Sequence, residues 1–250
     1  MAQKTKKPRR RVRRKRVGKD GQMLMQYPLG WGGKRPGAGR KPRGNKAGVP
    51  HLRRPDDKII ARWPLHVVLS VVDGLPSLRT RRCMTAIRKA FYGSKNRFGL
   101  RLTEFCVQRN HIHLVAEADD RQALLRGMRG FSIRLARQLN AALGRKGKVL
   151  ADRYHVEVLD SFSRIRHCLA YVLNNERRHC YQHGGWIKVA DYIDPCSSGP
   201  FFDGWHQPIE RPSGVDPPVV QARGYPLREG WRRCGLISID EIPSRRKGAQ

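Results

Sequence analysis

The chain has 250 residues, enough for one full hydrophobic core with residues left for tails or a small annex. Its 52 Lys and Arg against 20 Asp and Glu leave a net charge of +32, which calls for a polyanionic partner. No apolar run approaches the ~18 residues of a membrane span, and no signal-peptide core is present, so nucleic acid is favoured over a membrane surface. Cys83, Cys106, Cys168, Cys180, Cys196 and Cys234 are scattered without a CxxC pair. That excludes a zinc ribbon, gives no disulfide framework, and suits reduced thiols in a cytoplasmic, nucleoid-associated protein.

Residues 1–57 form a basic arm. The first 50 hold 17 Lys and Arg against one acid, Asp20, and carry half the net charge. With so little apolar surface, disorder is expected there. The stretch GWGGKRPGAGRKPRG, residues 30–44, distantly resembles an AT-hook but lacks its RGRP core. Its Arg35, Arg40 and Lys41 are candidate DNA contacts, and a solvated basic linker is the alternative.

The folded part, residues 58–184, opens with a strand, HVVLSVV, over 66–72, closed by the turn Asp73-Gly74-Leu75-Pro76. Ser77 is placed to cap a helix running to about Tyr92, whose apolar side is Leu78, Met84, Ile87, Ala90 and Phe91. After a loop come two strand-like runs in LRLTEFCVQRNHIHLVAEA, residues 100–118, paired as a hairpin across Arg109-Asn110. Asp119 or Asp120 starts a long helix with Leu124, Met128, Phe131, Leu135 and Leu139 at helical spacing, and Gly144 ends it. Gly127 and Gly130 inside that helix are costly and imply a close backbone approach or a bend. Arg126, Arg129, Arg134 and Arg137 lie off its apolar stripe and either line a nucleic-acid channel or face solvent. A fourth strand covers His155–Leu159. The order β-α-β-β-α-β is the split βαβ arrangement of an α+β, ferredoxin-like antiparallel sheet with helices on one face. A further helix spans Phe162 to about Arg178. Residues 185–250, rich in Gly, Pro and aromatics, read as an irregular annex wrapping the core.

Two constellations carry chemistry. In the strand beginning His111-Ile112-His113, alternate side chains share a face, so the two imidazoles point the same way. They are either a ready pair of metal ligands or two histidines on an exposed face. On the helix after Asp160, Phe162, Ile165, Leu169, Val172 and Leu173 form the apolar stripe, and Tyr171 and Asn175 stand one turn apart on its flank. If that helix crosses the histidine face, the Asn175 amide oxygen becomes a third ligand beside a phenol.

The pairing of NHIHL with YVLNN some sixty residues later resembles the HUH single-strand endonucleases and, more narrowly, the REP-associated tyrosine transposases. The resemblance covers about residues 60–184, with a similar GW…DPxSS…FDGW tail, and departs at Glu176, where the family often has Pro. It implies that His111, His113 and Asn175 hold a divalent metal and that Tyr171 is the nucleophile of a transposase-like, single-stranded DNA endonuclease. Mg²⁺ or Mn²⁺ suits such mixed N/O ligation. It further implies a 5′-phosphotyrosine intermediate, rejoining by a 3′-hydroxyl, hairpin or palindromic repeats as substrate, and a monomer or homodimer. Tyr154, beside Arg153 and His155, is the alternative nucleophile, with Asp152 a possible ligand. Arg129, Arg153 and Arg164 join the candidate DNA contacts. Two other readings compete. One is a non-catalytic single-stranded DNA or RNA binder, although the sheet lacks an RNP-like aromatic run. The other is a two-histidine phosphodiesterase using His66 and His111, which wants a hydroxyl residue where Val68 and His113 stand.

Overall fold

The structure, a computed structural model, describes residues 57–185 and 192–243. The candidate contacts Arg35, Arg40 and Lys41 lie outside the described residues.

In chain order the elements are α1 (Asp57–Arg62), β1 (Leu65–Ser70), α2 (Arg81–Tyr92), β2 (Asn96–Arg97), β3 (Leu100–Val107) and β4 (His111–Ala118). Then follow α3 (Arg121–Leu143), β5 (His155–Val158), α4 (Phe162–Leu173), α5 (Asn175–Gln182) and the short α6 (Tyr225–Arg228). Two 3₁₀ turns, Gly199–Phe201 and Gly230–Cys234, complete the set. The strands form an antiparallel sheet in the order β2-β3-β4-β1-β5, which is the expected ferredoxin-like arrangement with β2 added at one edge.

The hairpin of β3 and β4 fixes the register of the sheet. Gln108 N–H donates to the His111 carbonyl at 2.8 Å across the Arg109-Asn110 turn, and Cys106 faces His113. A β-bulge between Leu102 and Glu104 shifts the pairing by one residue at Thr103. Neighbouring segments tie the turn down: Val71 N–H donates to the Asn110 carbonyl and Leu78 N–H to the Arg109 carbonyl, both at 2.9 Å.

That last bond explains why Ser77 does not cap α2. The fully buried Leu78 and Arg79 form a turn closed by Thr80 N–H on the Ser77 carbonyl, and Thr80 takes over the cap, its hydroxyl accepting from Cys83 N–H. The long helix behaves as its residues foretell. The Asp120 carboxylate accepts from Ala123 N–H at 2.6 Å, and Gly144 closes the helix in the left-handed conformation at φ 63°. Gly127 is the close approach: a Cβ there would lie 2.4 Å from Leu100 Cβ.

Each face of the sheet has its own core. On one, α2 and α3 bury Ile87, Phe91, Met128, Phe131 and Leu135 against Leu65, Val67, Leu114 and Phe105. On the other, Cys106 and Val115 meet Ile165, Leu169 and Val172 of α4, joined by Phe202, Trp205, Trp231 and Ile237 of the annex. So α2 and α3 share one face as expected, and α4 covers the opposite one together with the irregular annex.

The helix expected to run from Phe162 to Arg178 is two helices. Ser161 caps α4 by accepting from Arg164 N–H, and Asn174, at φ −99° and ψ 21°, interrupts the run before α5. The annex supplies the reason. Asn174 Nδ2 donates to the Ser238 carbonyl at 2.9 Å, and Arg177 Nε donates to the Ile239 carbonyl at 3.0 Å. Arg166 adds a bidentate pair with Glu241. The annex thus holds the α4–α5 junction by its side chains. The six cysteines are all free thiols, and no described helix is long and apolar enough to cross a membrane.

Candidate functional site

Antiparallel pairing of β1 with β4 sets Val68 opposite His113 and Ser70 opposite His111. Alternation then brings His66 to the same face as the two histidines of β4. The three imidazoles form a chain. His111 Nε2 lies 3.1 Å from His113 Nε2, and His113 Nδ1 lies 3.1 Å from His66 Nε2, with the His66 and His113 rings stacked at 5.2 Å. Asn110 Oδ1 sits 2.9 Å from His111 Nδ1 and, as an acceptor, holds the proton there. His111 Nε2 therefore presents a lone pair toward His113.

The chain of rings can then be satisfied in two ways. Either His113 carries its proton on Nε2 and donates to His111, or it donates from Nδ1 to His66 and leaves two lone pairs facing each other at 3.1 Å. The second state is repulsive unless a cation accepts both. Two nitrogens at that separation are spaced as neighbouring ligands of one ion, given N–metal distances of about 2.1 Å. Burial keeps the rings neutral. It lowers the pKa of His66 to about 4 and that of His113 further, and it lowers His111 as well; each neutral ring retains a ligand lone pair.

Tyr171, half-buried in the last turn of α4, stands edge-on over these rings. Its ring centroid is 5.3 Å from that of His113 and 6.3 Å from that of His66. The helix is held there by the core that Ile165, Leu169 and Val172 make with the sheet. Arg178, buried on α5, places its guanidinium carbon 4.8 Å from the Tyr171 ring centre. One turn beyond Tyr171, Asn175 is fully buried; its Nδ2 donates to the Tyr171 carbonyl at 3.3 Å, while its Oδ1 has no hydrogen-bond partner. An orphaned buried carbonyl costs about 1–3 kcal/mol, which a bound cation would relieve. Among the described residues no three His, Cys, Asp or Glu side chains form a metal-holding group.

A second network steadies the helix junction. Asp194 of the annex, with its side chain only 2% exposed, takes two N–H bonds from Arg79 at 2.9 Å each and one from Cys196 N–H at 2.9 Å. Arg79 also donates to the Val107 carbonyl at 2.9 Å and pairs at 3.4 Å with Glu176, the residue after Asn175.

The structure therefore brings His111, His113, Tyr171 and Asn175 to one region of one face. It sets Tyr154 and Arg129 elsewhere, while Arg164 borders the face through Glu157, the β5 residue opposite His66. Tyr154 packs against the core of α2 and α3, on the far side of the sheet, and burial raises its pKa. Arg129 is exposed on α3, also on the far side. Arg153 is exposed just ahead of β5. Arg164 is engaged by Asp160 and Glu157, which neutralise it. Asp152 caps its own turn by accepting from Arg153 N–H. His66, weighed only beside His111, is placed beside His113 by the β1–β4 register, and the residues passed over are Arg178, which meets Tyr171, and Arg79, whose partners lie far away in the chain.

The class the fold defines is an α+β protein whose antiparallel sheet bears clustered imidazoles beneath a helix-borne tyrosine. The model of the family "Transposase IS200 like" matches residues 62–175. Over that segment the chain is similar to the IS200-like transposase family. Among solved structures it is similar to a REP-associated tyrosine transposase bound to a REP hairpin, at 20% identity and TM-score 0.39, covering 54% of this chain and 76% of that one. It is also similar to a candidate transposase from Deinococcus radiodurans, at 12% identity and TM-score 0.34, covering 59% of this chain and 99% of that one. Both likenesses are distant, and the family likeness rests on the model that matches residues 62–175. No curated protein matches the chain.

Proposed function

We propose that this transposase-like chain cleaves and rejoins single-stranded DNA through Tyr171, at hairpin-forming repeats. The observation that carries the reading is the Tyr171 ring set 5.3 Å from His113, whose Nε2 converges with that of His111. The Tyr171 hydroxyl attacks a backbone phosphorus, a phosphotyrosyl bond to the 5′ side forms, and the 3′-oxygen departs as a free hydroxyl. Attack by a 3′-hydroxyl on that link restores a phosphodiester, and since the bond energy is retained no ATP is consumed.

His111, His113 and Asn175 are the residues that would hold a divalent ion, Mg²⁺ or Mn²⁺, with the orphaned Asn175 carbonyl as the sign that a ligand belongs there. Such an ion supplies Lewis-acid stabilisation of the charge that grows on the phosphate oxygens. Asn110 fixes the His111 tautomer, His66 orients the His113 ring, and Arg178 sets a positive charge beside the phenol ring. The annex keeps water from the back of α4 by burying Trp231 and Ile237 there. The net charge of +32 supplies affinity for the strand without choosing its sequence.

Labelled single-stranded hairpin oligonucleotides incubated with the protein and Mn²⁺, then run on a denaturing gel, test the reading. A protein-linked product is expected that disappears in Tyr171→Phe and persists in Tyr154→Phe. His113→Ala is expected to abolish the adduct while leaving DNA affinity largely intact. An adduct that survives Tyr171→Phe, or equal loss of cleavage and binding in His113→Ala, overturns the proposal.

A further inference from the structure

An unexplained feature lies beside this face. Annex, sheet and α4 enclose a cavity of about 420 Å³. Its floor is Thr103 and Glu104, turned toward it at the β-bulge of β3, and its walls include Phe202, Val219, Leu227 and Trp231. The floor is near the histidines. Glu104 stands two residues along β3 from Cys106, which faces His113, so roughly 7 Å of strand separates the two positions. Leu169, two residues before Tyr171 on α4, lines the cavity too.

The lining is amphipathic in a particular way. The walls are apolar or aromatic, with Phe202 and Trp231 stacked at 5.8 Å, and the floor carries a carboxyl held by the Ser198 hydroxyl. Arg211 and Arg228 stand exposed on its rim. A flat ring with apolar faces, a polar edge and an attached phosphate is complementary to all three parts at once.

We propose that this cavity holds one unstacked nucleobase bearing an exocyclic amino group, belonging to the strand that passes Tyr171. The inference rests on the reading of the histidine–tyrosine face as the place where a single strand lies. Glu104 accepts from the amino group of adenine, cytosine or guanine, as an acidic side chain accepts from cytosine N4 in a groove, and thymine offers no such donor. The aromatic wall covers the ring, and the rim arginines meet its phosphate. Burial, with Asp203 adding to it, pushes the Glu104 carboxyl up to about 8, so at neutral pH it is protonated, accepts from the amino group through its carbonyl oxygen, and spares the cost of burying a charge.

The test uses the full chain carrying Tyr171→Phe, so that nothing is cut. It is titrated with dAMP, dCMP, dGMP, dTMP and deoxyribose 5′-phosphate, with binding read by ligand-observed NMR. At least one amino-bearing nucleotide is expected to bind about tenfold more tightly than dTMP and the sugar phosphate. Gln221→Trp, at an exposed wall position, is expected to remove that preference without shifting Tm, and Glu104→Gln to weaken it. Equal binding of all five, binding of none, or a preference that survives Gln221→Trp overturns the pocket. A preserved preference in a protein that never cuts a labelled hairpin sinks the nuclease reading alone.

Discussion

Replacing Asp194 by Ala removes the most enclosed charge that links the annex to the rest of the fold. In the wild type its carboxylate receives two N–H bonds from Arg79 and one from Cys196 N–H, with the side chain 2% exposed. Breaking a buried pair on one side costs about 3–5 kcal/mol, because the other charge is left without a partner. Arg79 is 20% exposed and keeps Val107 and Glu176, which places the loss near the lower end, about 3 kcal/mol. For a folded body of this size that corresponds to a Tm drop of roughly 6–12 °C in calorimetry. The double variant Arg79→Met/Asp194→Leu removes both charges together and is expected to recover most of that loss. If Asp194→Ala moves Tm by less than 2 °C, or the double variant is additive, the pair is ornamental and the argument for an annex-held helix junction fails.

Three further outcomes follow from the same structure. Thr80→Ala should cost about 1 kcal/mol in urea denaturation and Ser77→Ala only a few tenths, since only the Thr80 hydroxyl caps α2; the reverse order would contradict the assignment. Gly127→Ala, whose new Cβ meets Leu100 at 2.4 Å, should destabilise by about 1–3 kcal/mol despite the better helix propensity of Ala, and an unchanged midpoint would refute the close packing. Glu104, with its folded pKa raised to about 8 against an ordinary carboxylate value, contributes stability that is fully present below about pH 4.5 and is lost as pH rises toward 8. The Tm difference between wild type and Glu104→Gln should therefore shift against the wild type across that window, and a difference that stays constant with pH would mean the carboxyl is ordinarily ionised.

What could be read from the chain alone follows the range of the interactions involved. Asp120 and Gly144 announce the ends of α3 because a cap is a local bond, and His111 and His113 share a face by alternation alone. Tyr171 and Asn175 stay one turn apart although the helix breaks between them, since the interruption at Asn174 leaves the i, i+4 relation nearly unchanged. The break itself was not legible: its cause is Ser238, more than sixty residues away. Ser77 reads as the cap of α2, and the binding of Leu78 N–H to the hairpin turn, a distant contact, moves the start of the helix to Thr80. His66 reads as a possible partner of His111 in a two-histidine phosphodiesterase, and only the pairing of β1 with β4 brings it to His113. Arg164 reads as a candidate DNA contact; its partner Asp160 lies one turn away in the sequence, but Glu157 becomes a neighbour only when β5 meets α4.

The exposed arginines of α3 lie behind the sheet from Tyr171, so one short oligonucleotide cannot touch both without rounding an edge of the protein. Sensitivity to Arg129 thus becomes a ruler: it should be invisible with minimal strands and emerge, as a steeper loss of affinity with salt, once the nucleic acid is long enough to wrap.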